Sequence, residues 1–137
     1  MAQIRANGIQ IEYDTAGPHD GPPLLLVMGF GSQMTSWPVS FRDTLAASGF
    51  RVIRFDNRDV GLSQRFAGTP AARDVARAVA EGATPDVPYV LNDMAADAAG
   101  LLEALGIESA HIAGASMGGM IAQLVALNHP AKARSLI

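Results

Sequence analysis

A serine between glycines stands near the carboxyl end of this 137-residue sequence. Residues 114–118 read Gly-Ala-Ser-Met-Gly and so fit the pattern Gly-x-Ser-x-Gly. Where this pattern joins a strand to a helix, the chain turns sharply and lifts the serine hydroxyl clear of the sheet. Glycine at the flanking positions avoids collisions with the neighbouring strand and helix. We therefore interpret Ser116 as the nucleophile of an acyl-transfer reaction.

The elements predicted around Ser116 support this interpretation. Residues 110–113 fit a short strand, and residues 117–127 have helical spacing. The start of that helix offers free backbone N–H groups and a partial positive charge, which suit an oxygen that becomes negative. We expect the Met117 N–H to be one donor of an oxyanion hole. The alternative is a glycine-rich turn in which Ser116 simply caps the helix.

A second glycine-rich loop could supply the other donor. Gly29-Phe30-Gly31 follows the apolar run of residues 23–28, which fits a strand buried on both faces. We expect the Phe30 N–H to point toward Ser116, and Gly29 and Phe30 to contact the substrate. The alternatives are a simple turn and the start of a Gly-x-Gly-x-x-Gly dinucleotide loop. The latter fails because residue 34 is Met where that fingerprint needs glycine.

The elements that must position these loops alternate along the chain. An amino-terminal hairpin turns at Asn7-Gly8, and strands then alternate with helices. This order predicts an α/β fold: a mostly parallel sheet with an antiparallel amino-terminal hairpin and helices on both faces. The predicted elements are a hairpin over 4–15, strands over 23–28, 51–55 and 110–113 and from 135, and helices from 38 to 49 and over 71–81, 93–105 and 117–127.

Two details of the helices follow from the same patterns. Asn92 or Asp93 is expected to cap the helix over 93–105. The last helix is expected to bury Met120, Ile121, Leu124 and Leu127 on its inner side.

Composition narrows the classes of function. The formal net charge is −3, which disfavours nucleic acid as a partner, and there is no cysteine for a disulfide, a thiolate metal site or a nucleophile. No apolar run approaches the roughly 18 residues of a membrane span, and the first eight residues lack the apolar stretch of a secretory signal. We expect a soluble, cytoplasmic protein without a cofactor or metal.

Together, three segments resemble the α/β-hydrolase family over essentially the whole chain. They are residues 27–31 as the oxyanion loop, residues 56–63 as the turn after the fourth strand, and residues 114–119 as the nucleophile elbow. Met28 and the form of residues 57–63 are most similar to serine esterases of the aclacinomycin methylesterase kind. The resemblance implies hydrolysis of a small-molecule carboxylic ester by a Ser-His-Asp triad. Ser at position 116 argues against haloalkane dehalogenases and epoxide hydrolases, whereas residues 116–119 also resemble cofactor-free perhydrolases.

The sequence does not supply the whole triad. In this family the acid and then the histidine follow the nucleophile, but after Ser116 there is no Asp or Glu, and His129 lies roughly 18 Å along the helix. His19 and His111 are no better placed. We therefore interpret residues 1–137 as the amino-terminal part of one domain. The acid and base would lie on a carboxy-terminal portion outside this chain, carried by a companion chain or a lost segment.

Other residues near these motifs have simpler interpretations. Arg58 and Asp59 are expected to pair with each other within a charged turn. Trp37 is expected to pack at a helix start. The alternative for the whole chain, from another class of function, is a fragment or pseudoenzyme that only binds ligands or partners through the same cleft.

Overall fold

A six-stranded sheet organises the molecule, seen here in a computed structural model that describes residues 1–68 and 70–137. The strands are β1 Ala2–Ala6, β2 Ile9–Ala16, β3 Pro23–Val27, β4 Arg51–Phe55, β5 Ala110–Gly114 and β6 Ala133–Leu136. They stand in the order β1-β2-β4-β3-β5-β6.

The antiparallel part of the sheet comes first in the chain, as predicted. β1 and β2 form a hairpin in which Ala6 pairs with Ile9, and β2 pairs antiparallel with β4. Asn7 and Gly8 between the first two strands have φ of 47° and 78°. Two consecutive positive φ values belong to the tight turn that matches the twist of a hairpin, and Asn-Gly is the pair that adopts it most readily.

The parallel part of the sheet brings the two glycine-rich loops together. β4, β3, β5 and β6 run parallel, and β3 lies next to β5 with Val27 opposite Gly114. Parallel neighbours end at the same edge of a sheet. The loop after β3 and the turn after β5 therefore emerge side by side, although more than 80 residues separate them in the sequence.

Helices cover both faces of the sheet. Within the described residues the α-helices are α1 Val39–Ala47, α2 Ala72–Ala80, α3 Leu91–Ala104 and α4 Met117–Asn128. α3 and α4 pack on the larger core, in which Leu25, Ile53 and Ile112 are fully buried. On the opposite face, Leu45 and Ala46 of α1 pack against a smaller cluster of strand residues. No helix within the described residues has the length and apolar character needed to cross a membrane.

The inner face of α4 agrees with the prediction at Ile121 and Leu124, which pack on the core, but not at Met120 and Leu127. The buried residues of this helix are Gly118, Ile121, Ala122 and Val125, whereas Met120 and Leu127 are exposed. The predicted set assumed that the largest side chains face inward. The close approach of Gly118 to β3 fixes the rotation of the helix instead, and residues 121, 122 and 125 follow at helical spacing.

Two element boundaries also shift. α3 begins at Leu91 rather than after Asn92 or Asp93, and the Asp93 carboxylate accepts a hydrogen bond from the Val90 N–H at 2.7 Å. Asp93 thus stabilises the first turn from within it rather than from the capping position. β6 begins at Ala133, two residues before the predicted start.

Removing one methyl group from the core should measurably destabilise this fold. Ile53 is fully buried, so Ile53→Val should lower the free energy of unfolding by about 1 kcal/mol through lost burial and packing. Chemical denaturation measures the change. The matched control is Ile137→Val, because Ile137 is 72% exposed and should lose less than about 0.5 kcal/mol. Equal losses in the two variants would contradict the core described above.

Candidate active site

Ser116 stands on a strained turn between β5 and α4. β5 ends at Gly114 and α4 starts at Met117, and Ser116 has φ 56° and ψ −124°. Residues other than glycine rarely adopt a positive φ. Such backbone strain persists only where the surrounding structure enforces it. The side chain is exposed, and it makes no capping hydrogen bond to the helix that follows. A plain helix cap therefore does not explain this serine.

The glycines of the motif are needed for space. A Cβ on Gly118 would lie 2.1 Å from the carbonyl oxygen of Val27, and one on Gly114 would lie 2.3 Å from the carbonyl oxygen of Gly118. Both distances are far below van der Waals contact. The start of α4 thus touches the end of β3 backbone to backbone, which no other residue at position 118 would allow.

The loop after β3 lies directly against the serine. The Ala115 N–H donates to the Val27 carbonyl at 3.0 Å, and a Cβ on Gly29 would lie 3.1 Å from the Ser116 Cβ and 3.5 Å from its Oγ. Within residues 1–68 and 70–137, the N–H groups of Phe30 and Met117 donate to no protein acceptor. Both N–H groups belong to the two glycine-rich segments that meet at Ser116.

A pocket of about 600 Å³ opens beside this loop and the elbow. Its walls are mostly apolar and aromatic, and Phe30 and Met117 contribute to them from the two glycine-rich segments. The other apolar and aromatic residues include Phe66, Tyr89, Leu91 and Met94. The Phe30 ring is 85% exposed. Met117, the neighbour of Ser116, lines the pocket, whereas Ser116 itself does not. A space of this size can hold the apolar part of a small organic molecule.

The Arg58 guanidinium in the pocket wall is paired with a buried carboxylate. Arg58 donates two hydrogen bonds to Asp97 of α3, at 2.6 and 2.8 Å, and both side chains are buried. The rings of Phe66 and Tyr89 each lie 5.0 Å from the guanidinium. Burial would lower the pKa of Arg58, but its hydrogen bonds and charge interaction with Asp97 outweigh burial and raise the pKa.

The expected pairing of Arg58 with Asp59 is therefore wrong. The Arg58 side chain reaches across to α3, and the Asp59 carboxylate accepts a hydrogen bond from the Phe66 N–H at 2.7 Å. The partner role of Asp97 was not predicted from the sequence. The available signal was a single carboxylate within the apolar stripe of α3, where Met94, Ala98 and Leu101 are buried.

The three histidines lie away from Ser116. His129 follows the carboxyl end of α4, and the Nδ1 atom of His111 lies 2.8 Å from the Ser135 Oγ. His111 precedes Ser116 by five residues of mostly extended chain, roughly 15 Å at the usual rise of a strand. His19 is exposed in an early turn. Trp37 stacks on Phe41 with ring centroids 5.6 Å apart, which agrees with a packing role.

A family model described as the alpha/beta hydrolase fold matches residues 22–137. The chain belongs to this family. Among curated α/β-hydrolase relatives, the rhodomycin D methylesterase of Streptomyces sp. strain C5 is 38% identical over 114 residues, which are 83% of this chain and 33% of that protein. A putative carbamate hydrolase of Variovorax paradoxus is 33% identical over 127 residues, covering 93% of this chain and 41% of that protein.

Solved α/β-hydrolase structures agree with this fold. The enol-lactonase from Burkholderia xenovorans LB400 superposes with a TM-score of 0.76 at 25% identity, covering 96% of this chain and 44% of the lactonase. The chain thus spans about a third of the length of the methylesterase and less than half of the lactonase.

The contact between α4 and β3 makes neighbouring glycines respond differently to the same change. Gly118→Ala should lower the free energy of unfolding by about 1–3 kcal/mol, because the new methyl group collides with the Val27 carbonyl. Gly119→Ala should be neutral or stabilising by up to about 1 kcal/mol, because its Cβ meets only ordinary contacts and alanine favours helix. Thermal and chemical denaturation compare the two. A Gly118→Ala variant as stable as the unmodified protein would refute the close approach.

The hydroxyl of Tyr89 should titrate abnormally late. Burial, and after it the nearby Asp59 carboxylate, raise the pKa of Tyr89 from 10.0 to about 12. The raised pKa favours the folded state below pH 10. This contribution to the free energy of unfolding is lost as the pH rises toward 12. Tyr89→Phe should therefore remove a late phase from the ultraviolet titration of the two tyrosines. An unchanged titration curve in that variant would contradict the assignment.

Proposed function

We propose that the chain carries the nucleophile and oxyanion hole of a serine hydrolase that acts on a small-molecule carboxylic ester. The observation that carries the proposal is Ser116 itself: exposed, held at a strained φ, and lacking a capping bond to α4. Family membership and the likeness to a methylesterase support an ester as substrate. The apolar pocket beside Phe30 and Met117 would hold part of that ester.

The reaction would proceed through an acyl-enzyme. The Ser116 Oγ attacks the ester carbonyl as a base takes its proton, and the carbonyl oxygen becomes negative. The N–H groups of Phe30 and Met117 hydrogen-bond that oxyanion, and the start of α4 adds its partial positive charge. The alcohol then leaves with a proton, and water hydrolyses the acyl group from Ser116.

The acid and the histidine of the triad would come from outside these residues. The sequence holds no Asp or Glu after Ser116, and its three histidines lie away from the elbow. Relatives of this chain are two to three times as long as the matched part. We infer that a companion chain or segment supplies the rest of the domain and completes the triad.

A second candidate shares every residue of the first. A putative non-heme bromoperoxidase of Mycobacterium tuberculosis is 32% identical over 115 residues, and residues 116–119 resemble those of perhydrolases. In this reaction hydrogen peroxide takes the acyl group from Ser116 and leaves as a peracid. Peracid formation in the presence of peroxide and a carboxylic ester would distinguish this activity from simple hydrolysis.

We expect Ser116 to react with a fluorophosphonate probe. The protein for this experiment carries a tag at its amino terminus and is isolated from the cells that make it. Such a probe labels a serine whose hydroxyl is activated, and peptide mass spectrometry locates the label. Ser116→Ala should abolish labelling and lower kcat for ester hydrolysis by a factor on the order of 10³ or more. Ser40→Ala, an exposed serine of α1, is the matched control and should change neither. A binding module would stay unlabelled, and full activity in Ser116→Ala would refute the proposal.

The intact mass of the active material tests the origin of the triad. We expect ester hydrolysis to accompany either a longer polypeptide or a second chain that copurifies with this one. A single species of 14.3 kDa that hydrolyses esters would contradict that inference.

A further inference from the structure

The loop that carries Phe30 is fastened at both ends to one turn of the chain. The Asn57 side chain donates from Nδ2 to the Met28 carbonyl at 2.9 Å. At the other end, the Met34 N–H donates to Oδ1 of Asp56 at 2.7 Å. The loop of residues 28–34 is thus held by two adjacent side chains that follow β4.

The turn of residues 56–63 is itself fixed. The second carboxylate oxygen of Asp56 accepts a hydrogen bond from the Leu62 N–H at 3.1 Å. The Ser63 hydroxyl donates to the Asp56 carbonyl at 2.6 Å and accepts from the Glu12 N–H at 2.9 Å. A Cβ on Gly61 would lie 1.9 Å from the Asp56 carboxylate, so this position has no room for a side chain. The turn is therefore a rigid support tied to β2.

We propose that Asn57 is a positioning residue for the oxyanion hole. The Met28 carbonyl that it binds belongs to the peptide plane immediately before the one that carries the Phe30 N–H. Fixing the first plane limits the rotation of the second and so holds the Phe30 N–H toward Ser116. This role rests on the proposed function, since it gives the turn of residues 56–63 a part in that reaction.

Asn57 suits this role because the side chain at this position must donate a hydrogen bond. Its side chain is 2% exposed, and its recognised partner is a backbone carbonyl, which only accepts. A carboxylate of the same shape would place two acceptors face to face and leave both unsatisfied. Asp56, in contrast, also closes its own turn, so that removing it would disturb more than the loop.

Two variants of Asn57 separate donation from packing. Asn57→Asp keeps the size but loses the donor, whereas Asn57→Ser keeps a hydroxyl donor that is one bond shorter and reaches the Met28 carbonyl through a water in the vacated space. The matched control is Asn92→Asp, because Asn92 is exposed and its side chain already accepts a hydrogen bond, which a carboxylate can also do. The first measurement is the backbone amide spectrum of the 137-residue chain, with Ile112 of β5 as a remote reference.

For Asn57→Asp at pH 7 we expect the Phe30 amide signal to shift, with the Ile112 signal unchanged. Acidification should return that signal toward its original position, because a protonated carboxyl donates to Met28; burial places this titration above the usual range. Asn57→Ser should have the smaller effect. An unmoved Phe30 signal, a larger effect in Asn57→Ser, or equal changes at Ile112 would overturn the proposal. Failure of Asn57→Asp to fold at both pH 7 and pH 5 would also overturn it by showing a general structural role.

The second measurement uses the tagged protein isolated from its own cells. Asn57→Asp should slow fluorophosphonate labelling of Ser116 and lower kcat by about 10- to 100-fold at neutral pH, with KM changed less than about twofold, because an oxyanion donor acts mainly in the transition state. A rise in KM alone would overturn the assignment. If the unmodified protein is never labelled, the proposed function fails, yet the amide spectrum still decides whether Asn57 positions the loop.

Discussion

The close contact between the first turn of α4 and the end of β3 governs this part of the molecule. Position 118 has no space for even one carbon beyond the backbone, because the Val27 carbonyl fills it. The helix can start this near the sheet only if the connection from β5 is very short. That short connection forces Ser116 to a positive φ, and packing of the buried face of α4 offsets the cost of the strain.

An ion pair lets the buried Arg58 guanidinium line a mostly apolar pocket. A buried arginine without a partner would be strongly destabilising, but Asp97 binds Arg58 through two hydrogen bonds, and the rings of Phe66 and Tyr89 cover it. Asn7 donates to the same carboxylate at 2.8 Å. One ion pair thus connects the hairpin turn, the turn after β4 and α3, which are distant in the sequence.

The sequence predicted what depends on local patterns. The Asn7-Gly8 hairpin, the alternation of strands and helices, and the strand-turn-helix context of Ser116 all follow from residues that are neighbours in the chain. Met120 and Leu127 were wrongly predicted on the inner face of α4, because tertiary contact at Gly118, rather than side-chain size, fixes the rotation of the helix. The partners of Arg58 and Asn57 were out of reach for a similar reason, since both pairs join segments that only the folded sheet brings together.

In the proposed site, Phe30 would contribute both to binding, through its ring, and to catalysis, through its backbone amide. Its ring is 85% exposed in this structure, and covering a phenylalanine side chain contributes about 2 kcal/mol. Whatever covers that ring, ester or remaining domain, gains this free energy at the same residue whose amide would meet the oxyanion. Affinity and chemistry would then be coupled through a single peptide unit, so a change selected for tighter binding at Phe30 would also alter the rate.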